Sequence, residues 1–421
     1  MKAKDKGIDR RNFLKTIGVT GLGSVLGSAQ LEAVSSDSNT PQEPQKPEPP
    51  VLPRRKLGKT GVEVPVLALG GDFNFVDEQI KLQEALDRGV NYWDTAHFYS
   101  RGDSERGIGK FLAKNLEVRK KLFIATKASG AKNADEIEQR LQTSLARMNT
   151  DYIDLYYGVH MLGDPARLTD ELKQWAEDAK KRKVIRLFGV STHSNMTECL
   201  ADVAKLDWID AVMTSYNFRL MQDTKMQAAI DACHKVGIGL IAMKVQGHGP
   251  AVHWADPRCD VETEEDKKLV EHFLKRGFTK GQAKIKVVLQ DERFSSACVA
   301  MDDVAIVASN VAAVLDKTKL SQADLRVFNE YACATSAGYC AGCASVCESA
   351  LPDATCVSEI MRYLMYYNSY GRKAEAKELF AQIPTHTRKK LLRLDYSRAE
   401  ARCPQHLPIG ELIAEAVSKL A

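Results

Sequence analysis

The chain has 421 residues, 44% of them hydrophobic, which suits one large domain with an appendage and is too much for a single small core. Its 59 basic and 55 acidic residues nearly cancel, for a formal net charge of +4. No basic block interleaved with aromatic residues occurs, so no nucleic acid is expected as a partner.

In chain order the first feature is "DRRNFLK", Asp9 to Lys15, followed by an uncharged glycine-rich run too short to cross a bilayer. No stable membrane span is expected. Residues 1–29 read as a twin-arginine export signal, with Arg10 and Arg11 as the pair and cleavage after Ala29. A disordered basic N-terminus is the competing reading. The signal predicts a periplasmic protein that engages the twin-arginine export machinery. Residues 30–53 carry six prolines between Pro41 and Pro53 and read as an extended linker. The fold is therefore expected to begin near Arg54.

From Val62 onward, short apolar runs alternate with amphipathic segments at the spacing of βα units. The predicted strands are "VEVPVLALG", "VNYWDTA", "KLFIATK", "YIDLYYGVH", "VIRLFGVST", "WIDAVMTSYN", "IGLIAMK" and "SSACVAM". Segments such as "ADEIEQRLQTSLARM" and "DELKQWAEDAKKR" read as the intervening helices, and "TEEDKKLVEHFLKRG" as an extra one before the last strand. Eight units over residues 54–320 predict an α/β fold, the (β/α)8 TIM barrel. An open doubly wound sheet would place a glycine-rich phosphate loop after its first strand. Here "LALGGDFNF" supplies Gly70 and Gly71 but no G-x-G-x-x-G. Residues 321–421 lack strand runs and read as a smaller helical module.

Chemistry in such a barrel sits at the carboxyl ends of the strands. The second predicted strand ends at Asp94 with Tyr99 just beyond, the third ends at Lys127 and the fourth at His160. A lysine closing an apolar strand is costly unless its ammonium is paired, and Asp94 on the neighbouring strand can pair it. That ammonium is expected to lower the pKa of Tyr99, while His160 steers a carbonyl oxygen toward the phenol. Read singly, Asp94 caps a turn, Tyr99 packs a loop and His160 is a satisfied buried histidine. Their convergence on consecutive strand ends favours catalysis. His97 reads as a lining residue at most.

The ordered segments "RKLGKTGVEVPVLALGG", "DTAHFYSRGDSERGIGKFL", "LFIATK", "DYIDLYYGVH", "RLFGVSTHS" and "SYNF" resemble the successive motifs of aldo-keto reductases, from about Arg54 to Val314. The resemblance implies a catalytic tetrad of Asp94, Tyr99, Lys127 and His160. It also implies NAD(P)H extended across the rim, Ser191 beside the nicotinamide carboxamide, and a small-molecule carbonyl or sugar substrate. Asn310 matches the family's cofactor-binding asparagine, but Ile306 stands where a basic residue usually meets the 2′-phosphate. Ala300 replaces a glycine, and Met213 replaces a glutamine beneath the nicotinamide. NAD and NADP are not distinguished by these residues.

The module holds "YCAGCASVC", giving Cys340, Cys343 and Cys347, and a remote Cys403–Pro404. Three close thiols and a distant Cys-Pro are what one [4Fe–4S] cluster requires. The region resembles the ferredoxin-like tail attached to some aldo-keto reductases, though those tails commonly carry two sets of four cysteines. Cys356 and Cys333 are reserve ligands. Disulfides and a four-thiolate zinc site compete for the same thiols. Cys199, Cys233, Cys259 and Cys298 read as packing residues. The whole predicts an exported oxidoreductase with an iron–sulfur cluster and an electron-transfer partner. Two rivals stay open: a catalytically altered barrel serving electron transfer or binding, and a lyase or epimerase using the same tetrad without net redox change.

Overall fold

The computed structural model describes residues 49–250, 264–352 and 356–421. The export-signal reading, most of the linker and Cys259 lie outside the described residues.

Strands β1 (Arg54–Lys56) and β2 (Glu63–Pro65) pair antiparallel, with Arg54 opposite Pro65. Leu57 lies against Gly239, where an added Cβ would meet its Cδ1 at 2.4 Å, so this hairpin closes the amino end of the barrel. The predicted run "VEVPVLALG" is thus two strands. Proline has no N–H to continue a ladder, so β2 stops at Pro65. Val66 then donates to the Pro53 carbonyl at 2.9 Å, and β3 starts at Leu67. Leu52 is only 4% exposed, so the packed chain begins just before Arg54 rather than at it.

The barrel proper is β3 (Leu67–Gly70), β4 (Tyr92–Asp94), β5 (Phe123–Lys127), β6 (Ile153–Leu162), β7 (Ile185–Thr192), β8 (Ala211–Ser215), β9 (Gly239–Met243) and β10 (Phe294–Ala300). Neighbours pair in parallel, and β10 closes onto β3. Helices lie between strands as the periodicity predicts. The helix Ala134–Met148 buries Ile137, Leu141, Leu145 and Met148 along one stripe, and the Asn133 side chain caps it by accepting from the Glu136 N–H. The extra helix before the last strand is Glu264–Lys275, followed by Lys280–Leu289, which a Thr279/Gln282 capping box starts.

The barrel body does not end at residue 320. Phe328 and Tyr331, on the helix Gln322–Ala334, pack with Phe218 and Phe273 in the barrel's own core. A second core forms later, where Met361, Leu364, Phe380, Leu391, Ile409 and Ile413 meet. It is built mainly by the helices Val357–Ser369, Lys373–Gln382 and Ile409–Leu420. The described residues form one compact unit.

The tail lies across the carboxyl mouth of the barrel. After β3, Asp72 ion-pairs with Arg372. After β4, Arg101 meets Glu378. After β7, the Asn195 N–H donates to the Gly342 carbonyl at 2.8 Å, and the Ser194 and Ser358 hydroxyls lie 3.3 Å apart. After β9, Asn368 and Ser369 donate to the carbonyls of Pro250 and Gly249 at 2.6 and 2.7 Å. Anchors beyond four different strands make this segment a roof. No described helix is long and apolar enough to cross a membrane.

Candidate active site

Lys127, the last residue of β5, is 1% exposed. Its Nζ donates to Asp94 Oδ1 at 2.5 Å and to the Thr95 carbonyl at 2.7 Å. The same ammonium sits 4.6 Å from the centre of the Tyr99 ring and 5.8 Å from that of Tyr157. A buried cation is tolerable only with such partners. Burial pushes the Asp94 carboxyl up, and Lys127 opposes that rise. Asp94 Oδ2 has no hydrogen-bond partner, and the Cys298 thiol acts on the carboxyl group.

Tyr99 opens a tight turn after β4 in which Ser100 and Arg101 take positive φ of 47° and 56°. A supporting network holds the turn. The Arg147 guanidinium donates to the His97 carbonyl at 2.7 Å and to the buried Glu105 carboxylate at 3.0 Å. Gly102 is needed beside it, because a Cβ there would meet the Arg147 Cζ at 2.7 Å. His97 therefore supports the turn rather than lining the site. Burial and the nearby cations Arg147, Arg140 and Arg106 lower its pKa to about 4.

The Tyr99 and His160 rings meet edge to face at 6.3 Å. His160 is not the last residue of its strand: β6 runs on to Leu162, and its pairing with β7 is irregular around Val159. Gly158 allows this, since a Cβ there would lie 2.3 Å from the Phe188 ring. Such an irregularity re-aims a side chain. The His160 Nδ1 lies 2.9 Å from the Ser129 hydroxyl. Burial first, and Lys127 second, hold His160 well below the usual histidine value, so it is neutral.

The phenol differs from expectation. Burial, then the Asp94 carboxylate, raise the Tyr99 pKa well above 10, so at neutral pH it carries its proton. The Lys127 ammonium is committed to Asp94 and the Thr95 carbonyl and faces the ring. Its expected acidifying effect on Tyr99 is therefore outweighed.

The structure brings Asp94, Tyr99, Lys127 and His160 together at one mouth. Ser191 is buried on β7, and its hydroxyl accepts from the Met161 N–H at 3.2 Å, next to His160. Asn310 is buried in the helix Val304–Leu315, and its Nδ2 has no partner. Ile306, on that helix, packs against the core, and Met213 is buried in β8. The sequence reading missed the groups that do not belong to the barrel strands' ends. Ser129 touches His160, Cys298 lies beside Asp94, and the roof contributes Tyr366 and Glu375, whose charges act on Tyr99.

None of the nine described cysteines is in a disulfide. Cys347 and Cys403 are buried, Cys340 and Cys343 partly so, and Cys333 is exposed on its helix. Burial raises Cys340, Cys343 and Cys347, and Cys403 acts on all three. The charges that act on Cys356 are those of Glu359 and Glu348. Among the described residues, no group of three or more His, Cys, Asp or Glu is gathered as a metal-ion site.

The profile of the Aldo/keto reductase family matches residues 67–330, and the chain belongs to that family, whose members are oxidoreductases. It is 29% identical over 224 residues to an aldo-keto reductase of Gibberella moniliformis, covering 51% of this chain and 64% of that protein. Against an NADP(+) aldo-keto reductase of Schizosaccharomyces pombe the figures are 29% over 220 residues, 47% and 62%. The chain thus spans just under two thirds of these relatives' length. The holo form of an aldo-keto reductase of Bacillus halodurans superposes with a TM-score of 0.54 at 22% identity, covering 66% of this chain and 96% of that one. Residues 331–421, which include the roof and the clustered thiols, lie beyond the family match.

Proposed function

We propose that the protein interconverts a carbonyl and an alcohol on a small molecule, with Tyr99 handling the proton of the oxygen. The observation that carries this reading is the closed set of Lys127 on Asp94 at 2.5 Å, with Tyr99 and His160 edge to face above it. In the reducing direction Tyr99, protonated at rest, donates to the oxygen as the carbon is reduced. Neutral His160 donates a hydrogen bond to that oxygen, and Ser129 orients the imidazole. Lys127 stabilises the phenolate left behind, and Asp94 holds Lys127 in place.

Members of the family use NAD(P)H. The unpartnered Asn310 Nδ2 and the buried Ser191 suit such a cofactor in part. Beneath the roof, the cavity beside Ser215, His193 and Lys244 is about 40 Å3, room for about three waters, and the one beside Met161, Ser194 and Arg362 is about 190 Å3. No step is written through the dinucleotide.

A second reading concerns the tail. Cys340, Cys343, Cys347 and Cys403 are proposed to hold one [4Fe–4S] cluster, whose four irons spread their thiolates more widely than a single zinc ion would. Cys340 lines the 40 Å3 cavity, which supports electron exchange between such a cluster and the barrel. Export by the twin-arginine route, from the Arg10–Arg11 pair, would deliver a protein already carrying its metal.

The test is turnover of small aldehydes and ketones with NADH, NADPH or a reduced one-electron dye. Activity that Tyr99→Phe lowers by about 10² to 10⁴ supports the acid role. Activity unchanged in Tyr99→Phe overturns it and favours a binding or electron-transfer protein. Turnover without net redox would instead mark a lyase or epimerase. Iron and sulfide analysis of anaerobically prepared protein decides the cluster separately.

A further inference from the structure

We propose that Lys244 and Arg362 form an anion-binding site across the barrel–roof seam, and that the substrate carries a carboxylate or phosphate there. The inference rests on the carbonyl-reductase reading for its second half and on geometry alone for its first.

Lys244 follows β9 directly and adopts a left-handed backbone, with φ of 56°. Such a conformation strains a lysine and is kept only where the surroundings fix it. Its Nζ meets the Tyr366 hydroxyl at 3.5 Å and the faces of Tyr366 and Tyr370 at 4.6 and 4.8 Å from their centres. None of these contacts is a carboxylate. Arg362, on the roof helix Val357–Ser369, is 9% exposed. Its contacts are a long 3.4 Å ion pair with Glu359 and the Tyr363 ring at 5.3 Å, and its Nε has no partner. Both side chains line the 40 Å3 cavity with His193, Ser215 and Ser358.

Two sheltered cations with one long carboxylate contact between them, and an idle N–H on Arg362, are a costly arrangement unless a further anion completes it. Burial and these same cations hold His193 neutral, so it adds no third positive charge. The charges of Arg362 and Lys244 also act on His160, which puts the cavity within electrostatic reach of the tetrad. The cavity's size admits a carboxylate or phosphate head but little more. A small oxo-acid therefore fits better than a long-chain aldehyde or a free sugar. Residues from the barrel and from the roof share the site, so it exists only when the roof is seated.

The first arm needs no turnover. Oxalate and inorganic phosphate, against chloride at matched ionic strength, are added to the full chain while the melting temperature is followed. The expected result is a rise in wild type that Lys244→Gln and Arg362→Gln abolish and that Lys244→Arg and Arg362→Lys retain. No anion-dependent rise in wild type overturns the site. The second arm compares kcat/KM for pyruvate and its neutral amide. The expected preference for pyruvate falls by about tenfold to a hundredfold in each Gln variant, the weight of a charged hydrogen bond. A preference that does not change, or variants that raise only the KM for NADPH, would assign the anion to the cofactor's phosphate and overturn the substrate claim. If neither compound turns over, the oxo-acid claim fails while the carbonyl reading stands or falls on its own test, and the first arm still decides the site.

Discussion

The barrel and the roof hold their functional groups by different means. In the barrel, Asp94 and Lys127 end adjacent strands that are hydrogen-bonded in register, Trp93 to Ile124 and Asp94 to Ala125. Their pairing is thus inherited from the sheet. In the roof, Arg362 and Tyr366 ride on a helix whose place over the mouth depends on polar contacts with loops such as those at Asp72, Asn195 and Gly249. The contrast teaches that the half of the site built on Asp94 and Lys127 is rigid by construction. The half built on the roof is only as firm as a seam.

The sharpest break of this comparison is Lys127→Met, which leaves Asp94 buried without a cation. The expected cost is about 3 to 5 kcal/mol in chemical denaturation. Adding Asp94→Leu should recover much of it, because the uncompensated charge goes too. A small single-variant effect would mean that the pair is less sheltered than its 1% and 3% side-chain exposures imply. Gly342→Ala should come next, and it should act on the seam alone. Gly342 has φ of 77°, and a Cβ there would meet the His193 carbonyl at 2.2 Å. Strain of about 1 to 3 kcal/mol is expected to lift the roof's leading loop. Limited proteolysis should then cut after residue 330 sooner than in wild type, while the barrel fragment persists. Equal resistance would show that the roof is held elsewhere.

The smallest effect lies beneath the tetrad. His97 has its pKa lowered from 6.5 to about 4, so the unfolded chain binds more protons between those values. The stability this represents is present above pH 6.5 and is lost as pH falls toward 4. His97→Gln should flatten that part of the stability profile by about 2 kcal/mol and leave the slope above pH 7 unchanged. An identical slope in wild type and variant would remove His97 from the acid sensitivity.

The four residues were legible in the sequence because each follows an apolar run and lies at, just beyond or, for His160, two residues before the end of a strand. The (β/α)8 order was legible for the same reason. Pro65 hid the basal hairpin, since "VEVPVLALG" keeps an apolar texture while the missing N–H breaks the ladder. Cys298 looked like packing because nothing local distinguishes it from Cys233; only the closure of β10 onto β3 brings it to Asp94. The roof was least visible. Arg372 and Asp72 are 300 positions apart, and no local pattern announces such a contact. The acidity of Tyr99 also escaped, because neighbour identity can be read from a strand order but burial cannot.

The position of the roof late in the chain has a consequence for how the protein is made. Domains emerging from the ribosome fold amino end first, so the eight strands can close before residues 357–382 have left the tunnel. During that interval the mouth stands open to the cytosol, and whatever must be lodged beneath Tyr366 has its easiest passage then. Once Arg372 reaches Asp72, any later arrival has to come through the seam.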